Sequence, residues 1–317
     1  MRLYLFLLII SVVFADESGL QSRNVEVRAR AIAAIGSAQG KENFLILYKH
    51  SRKMNTIEKI AYMKVLGRWQ GKECTKATNI LINTLLSRRE SRQVKIEAAN
   101  SLATVVNRDQ TLEDGKAKSR VKKAVGALKK GLVNTRNSYQ VRESIIGAFT
   151  TIGGLDHIKV ISLGLKDKYQ MVRIRSIQAF RSLNAVDHVK LLIKSCLREK
   201  HSTIQKEYVE TIYELNKEKG FPFFVKILNN RKNANHLRIR LIEMIASYHS
   251  EEFRNFHSKA VKAIAKCYPN ETDLSTKKAV IRALGNFNVN EPSIRRIYAM
   301  TQKERDSLKE LGAQFLK

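Results

Sequence analysis

What this 317-residue chain has little of narrows its reading early. Its three cysteines, Cys74, Cys196 and Cys267, are widely spaced with no CxxC, so an exported form would hold at most one bridge and one free thiol. Cys196 falls in an apolar helical segment and reads as core. No stretch alternates polar and apolar residues for long enough to claim a sheet. There is no phosphate loop, no HExxH and no nucleophile–base constellation, so nothing in the sequence proposes chemistry. Aromatic residues are sparse, at 7%, and Trp69 is the only tryptophan; its place at a turn leaves core packing and partner contact both open. Acidic residues are scarce as well, 29 against 58 Lys plus Arg, a formal charge of +29.

What is present is repetition. Tyr139-Gln140-Val141-Arg142 returns as a tyrosine-led run ending at Val172-Arg173, and Ala148-Phe149 returns at Ala179-Phe180. The segment 155–160 (LDHIKV) likewise returns at 186–191 (VDHVKL), 31 residues on. Self-similarity at such a period marks a repeat architecture. Taking Arg142 and Arg173 as a fixed position, the same register selects Arg28, Lys59, Lys95, Gln205, Arg238 and Lys277. Seven of these eight positions are basic. Seven residues further on stand Ile35, Leu66, Leu102, Phe149, Phe180, Ile212, Ile245 and Leu284, with mostly apolar residues at the third and fourth steps between. That spacing makes one stripe of an amphipathic helix. A second apolar periodic set lies near 41–50, 76–87, 117–133, 155–166, 186–198, 219–229, 251–267 and 292–301. Gly40, Gly153, Gly154, Asn184, Gly220, Asn229 and Asn230 read as joints, and Asp156 and Asp187 as helix N-caps. The expected fold is all-α, an array of about eight helix-turn-helix repeats.

Paired helices with Val-Arg opening the second member resemble HEAT repeats, most of all the short HEAT-like type associated with phycobilisome lyases. The carrying residues are Val27-Arg28 with Ala31 and Ile35-Gly36, Val94-Lys95 with Ala98-Ala99 and Leu102, Val141-Arg142, Val172-Arg173 and Leu237-Arg238. The resemblance spans about 24–302 and implies a right-handed α-solenoid, an armadillo/HEAT-like superhelix. The chain departs from the long HEAT pattern in having only Pro222, Pro269 and Pro292, and the units around Lys59, Gln205 and Lys277 rest mainly on spacing.

At the N-terminus, Arg2 precedes a twelve-residue apolar run, 3–14, and then Ala15 and Asp16-Glu17. The run is shorter than the ~20 residues of a spanning helix and reads first as a secretory signal peptide cut after Ala15, with an uncleaved N-terminal anchor as the alternative. The expected organisation is a signal peptide over 1–15, a polar leader over 16–23, repeats over 24–302 and a capping helix over 303–317, with Leu308, Leu311 and Phe315 inward. Residues 107–117 read as a polar surface loop. The protein is expected outside the cytoplasm, periplasmic or extracellular.

Charge carries the functional weight. Losing Arg2 with the leader would leave +28, which favours acidic partners. The densest stretch holds Lys116, Lys118, Arg120, Lys122, Lys123, Lys129 and Lys130 without an acid. With Arg142, Arg173, Arg238 and Lys277 of the register, these are the candidate partner-binding residues. A run of charge also reads as a solvated helix face. In HEAT-like families the register arginine often makes intramolecular contacts at the turn, so a structural ladder and a binding ladder both stand open. His157 and His188 are repeat-equivalent, but no third ligand recurs with them, which favours helix caps over a metal pair. Asn270-Glu271-Thr272 is a glycosylation sequon, meaningful only in a eukaryotic source.

Three functions follow in rank order. The first is a non-enzymatic scaffold whose basic concave surface binds an acidic protein or multiprotein assembly, with no cofactor, metal or small-molecule substrate. The second is a polyanion binder, taking nucleic acid, anionic lipid at a membrane surface or acidic polysaccharide. The third is an enzyme of the HEAT-like kind, a lyase or a relative of the DNA glycosylases.

Overall fold

The computed structural model describes residues 18–287, 291–304 and 306–314. Among these residues all regular structure is helical, seventeen α-helices with short 3-10 turns and no strand. None of the described helices is long and apolar enough to cross a membrane. The leader expected over 1–15 and Phe315 both lie outside the described residues. The chain divides at Leu183–Asn184 into two compact units, where the sequence pattern drew one array.

The first unit contains α1 (Val25–Ala38), α2 (Lys41–His50), α3 (Thr56–Arg68), α4 (Cys74–Leu86), α5 (Arg92–Asp109), α6 (Gly115–Val133), α7 (Tyr139–Ile152), α8 (Ile158–Gly164) and α9 (Gln170–Ser182). The odd-numbered members, which carry the register, stack on one another in order, and α4, α6 and α8 stack as a second layer behind them. Capping fixes several starts. Asn24, Ser91, Asp114 and Ser138 each accept a backbone N–H of the first turn, and Asn55 with Glu58 forms a reciprocal capping box.

The second unit contains α10 (Val189–Cys196), α11 (Ser202–Leu215), α12 (Lys217–Leu228), α13 (Asn235–Ala246), α14 (His257–Ala265), α15 (Leu274–Leu284), α16 (Pro292–Thr301) and α17 (Asp306–Gln314). Here α11, α13, α15 and α17 stack in one layer, with α10 against α12 and α14 against α16 in the other. Leu308 of the terminal helix is buried and Leu311 half-buried.

The apolar residues seven past each register position are all buried, from Ile35 through Leu284. A fully buried side chain of this kind contributes about 1.5–3 kcal/mol, so the repeated stripe is the core. Close stacking depends on small residues. A side chain at Gly67 would bring its Cβ within 3.0 Å of the Ser101 Cα, so α3 and α5 meet nearly backbone to backbone. Trp69 is core, 1% exposed and edge-on to Phe44.

Four expectations are corrected. Gly220 is no joint: it lies inside α12, where the Phe224 ring covers it. Asp156 and Asp187 do not cap. Each sits in a 3-10 turn (Leu155–His157, Val186–His188), and no side-chain cap bond forms there. The segment 107–117 is a loop only over 110–114, between the end of α5 and the start of α6. Within that segment Asp109 is fully buried, bonded by Arg108 Nε at 2.8 Å and Arg120 Nε at 2.6 Å. Two guanidinium groups make burial of that carboxylate tolerable.

Candidate functional site

The register side chains form bonds within the chain. Arg142 lays its guanidinium along the Asp167 carboxylate, Nε to Oδ2 at 2.7 Å and Nη2 to Oδ1 at 2.8 Å, and also donates to the Asn137 carbonyl. Arg28 donates to Glu58 at 2.6 Å and to the Ser22 carbonyl at 2.6 Å. Lys59 reaches Glu90 at 2.8 Å, Lys95 the Asn137 amide oxygen at 3.2 Å, and Arg173 the Asp167 carbonyl at 2.8 Å. In the second unit Gln205 donates to the Glu199 carbonyl, Arg238 pairs with Glu271 at 2.5 Å, and Lys277 with Glu304 at 2.5 Å. Arg28 and Arg142 thus each tie their own entering loop to the loop or helix start of the following repeat, while the other register side chains hold one of these two ends.

The electrostatics agree with this tie. Burial pushes the Asp167 carboxyl up, but the Arg142 hydrogen bonds, the Tyr169 amide and the nearby arginine charges outweigh it and leave the group below the usual range. Asp109 follows the same balance through Arg108 and Arg120, and Glu58 through Arg28, the Asn55 amide and His50. Burial pulls the Lys95 ammonium below its usual range, with Glu90 opposing.

This geometry removes several candidates from the binding surface. Arg142 is 2% exposed, Arg238 4% and Arg120 8%, so none presents a free charge to a partner. Lys277 is mostly covered, spent on Glu304 and lying over the Tyr268 ring. Arg173 is half-buried, bonded to carbonyls of its entering loop. Of the two readings of the register, the structural ladder is the one its contacts describe. A sequence signal for it existed: Glu90, Asn137, Asp167, Glu199 and Glu271 recur five or six residues before the next register position.

The remaining candidates behave differently. Lys116, Lys118, Lys122, Lys123, Lys129 and Lys130 all project from α6 into solvent, and none of the ion pairs among the described residues involves them. At 3.6 residues per turn, Lys116, Lys123 and Lys130 form one row and Lys122 and Lys129 a second. Ser119, Gly126 and Val133 run between the rows. Beside them a groove of about 600 Å³ separates α6 from α4. Its floor is Ile82, Leu86 and Ala127, its rim Lys122, Lys123 and Lys130, and no carboxylate lines it. A Cβ built at Gly126 would meet nothing within 4 Å. Mid-helix glycine costs about 1 kcal/mol relative to alanine, and no internal contact accounts for this one.

The asymmetry is wider than one helix. In the first unit α2, α4, α6 and α8 together carry eleven Lys and Arg against one acid, Glu42. In the second, α10, α12, α14 and α16 carry nine against one, Glu218. The eight register helices balance their charge far better, eighteen basic against nine acidic. Within each unit, positive charge therefore concentrates on the helices that lack the register.

Other polar clusters are inward. Among the described residues no group of three or more His, Cys, Asp or Glu comes together as a metal would need. His157 packs against Phe149, and burial holds its pKa below the ordinary value. All three cysteines are buried and unbridged. Asn270 of the sequon is exposed, while its neighbour Glu271 is committed to Arg238.

Stacked helix pairs of this kind define the class: a HEAT-like α-solenoid. Kap121p, a solved HEAT-type structure, aligns over 96% of this chain with a TM-score of 0.57 at 12% identity; the aligned part is 36% of Kap121p, so this chain spans about a third of that protein. Human deoxyhypusine hydroxylase in complex with glycerol (14% identity, 87% of this chain and 95% of that one, TM-score 0.34) is a looser likeness. So is the CpcE–CpcF complex of phycocyanin lyase from Nostoc sp. PCC7120 (16% identity, 91% and 92%, TM-score 0.33). No family model and no curated protein matches the sequence. At these identities the likeness shows the fold alone.

Proposed function

We propose that this protein is a non-enzymatic scaffold that holds an acidic protein or assembly against the lysine face of α6. One observation carries the reading: six exposed lysines on a single helix without a carboxylate partner. Natural surfaces intersperse both signs, and a one-signed field of this density destabilises the fold while steering anionic partners. The scarcity of acids on α4 and α8, the neighbours of α6 in its layer, supports the same assignment. The apolar run at 3–14 with Ala15 supports an exported scaffold, acting in the periplasm or outside the cell.

The test compares the wild-type protein with the Lys122→Glu, Lys123→Glu, Lys129→Glu, Lys130→Glu variant as bait in an extract of its own source cells. An acidic protein held by the former and lost by the latter supports the reading. Equal capture by both contradicts it. Nucleic acid or glycan that elutes as salt rises would establish the polyanion reading in its place.

A further inference from the structure

The groove beside α6 has more definition than a basic patch needs. Its rim lysines stand at heptad spacing, Lys123 and Lys130 on one row with Lys122 beside them, and its floor is apolar. On the α4 side Asn79 and the floor residues Ile82 and Leu86 recur at helical spacing. Two parallel rows of helical pitch leave a trough of the kind that receives a third helix. Gly126 clears the centre of that trough, and small residues are what let helix backbones approach closely.

Resting on the scaffold reading above, we propose that the α4–α6 groove docks an acidic amphipathic helix of a partner protein. The partner's apolar stripe would lie on Ile82, Leu86 and Ala127, and its carboxylates, recurring every seven residues, would meet Lys122, Lys123 and Lys130. Seven helical residues span about 10.5 Å, so one heptad of the ligand matches Lys123 to Lys130 directly. Charge complementarity fixes the sign of the ligand, because no carboxylate lines the groove. The chemistry disfavours nucleic acid: the lining offers no aromatic ring on which a base stacks and no arginine to fork onto phosphate. Part-buried Ile82 and Leu86 and buried Ala127 are equally wrong for a flat bilayer, which requires apolar side chains that project.

The probe is a fluorescein-labelled three-heptad peptide with leucine along one stripe and glutamate on both flanks, titrated by fluorescence anisotropy. Its comparators are a glutamine-for-glutamate version, poly-glutamate of equal charge and single-stranded DNA of equal charge. The expected result is binding of the glutamate helix at least ~10-fold tighter than any comparator, a difference of about 1.4 kcal/mol. Gly126→Leu, whose Cβ would have nothing within 4 Å and whose side chain would occupy the trough, lowers that affinity at least ~10-fold yet leaves poly-glutamate within about twofold. Ile82→Asn, on the facing helix, does the same by removing an apolar contact from the groove without adding charge. Full helix binding by both variants overturns the groove, as does DNA or poly-glutamate binding tighter than the helix. If poly-glutamate binding also survives Lys122→Glu, Lys123→Glu and Lys130→Glu together, the scaffold reading itself falls, a result distinct from loss of the groove alone.

Discussion

Arg142 and Asp167, 25 residues apart, meet in a two-point ion pair at 2.7 and 2.8 Å, with Arg142 almost wholly buried. The pair joins the start of α7 to the loop before α9, the next register helix of its layer. A side chain placed this way cannot serve an outside partner without leaving a buried carboxylate behind. Removing one member strands the other, at about 3–5 kcal/mol. Asp167→Ala should therefore lower the unfolding free energy by about that amount in urea denaturation. A double replacement by apolar residues of similar size should cost less than either single change, since no uncompensated charge remains.

The pH dependence follows from the depressed carboxyls of Asp109, Asp167 and Glu58. A carboxyl with a lowered folded pKa binds its proton more weakly in the native state than in the unfolded one. Its stabilisation is complete above the unfolded value, about 4, and disappears as pH falls through the folded value. Stability measured by denaturant titration should be level from pH 7 to about 5 and drop below about 4. Asp109→Asn should give a less stable protein whose curve falls less steeply below about pH 4.

The cysteines should be silent in the native state. Cys74 donates to the Trp69 carbonyl at 2.9 Å, and burial raises all three thiols, Cys196 to about 12. A thiol reagent acts on the thiolate. An Ellman titration at pH 8 should register almost no thiol until denaturant is added, and then all three.

Two glycines should respond in opposite directions to the same substitution. Gly126→Ala meets open space on a helix and should stabilise by about 0.5–1 kcal/mol. Gly67→Ala drives a methyl into Ser101 backbone and should destabilise by about 1–3 kcal/mol. Thermal melts of the two variants check both signs.

Much of the fold was legible because the core stripe repeats: an apolar residue seven past each register position becomes a buried residue in every case. Helix placement followed to within a few residues, α2 and α16 at the bounds the periodicity set. The register's role was only half legible. An arginine at a helix start looks the same whether it faces solvent or a carboxylate, and Arg142 is settled by Asp167, whose recurrence before the next repeat went unread. Asp109 misled for a related reason. A polar stretch reads as loop, yet Arg108 and Arg120 close over that carboxylate from two helices, one of them 11 residues away. The groove beside α6 was not legible at all, since Ile82 and Lys123 come together only by stacking.

The central claim is that binding charge resides on the α6 lysines and structural charge in the register. The most direct measurement is the affinity of labelled poly-glutamate, by anisotropy in one buffer, for the wild-type protein and for the Lys122→Glu, Lys123→Glu, Lys129→Glu, Lys130→Glu variant. The expected result is a loss of at least ~10-fold in affinity for the variant, with its thermal melt no lower than that of the wild type, because these exposed lysines hold nothing in place and their mutual repulsion is relieved. Equal affinity for both proteins would contradict the claim.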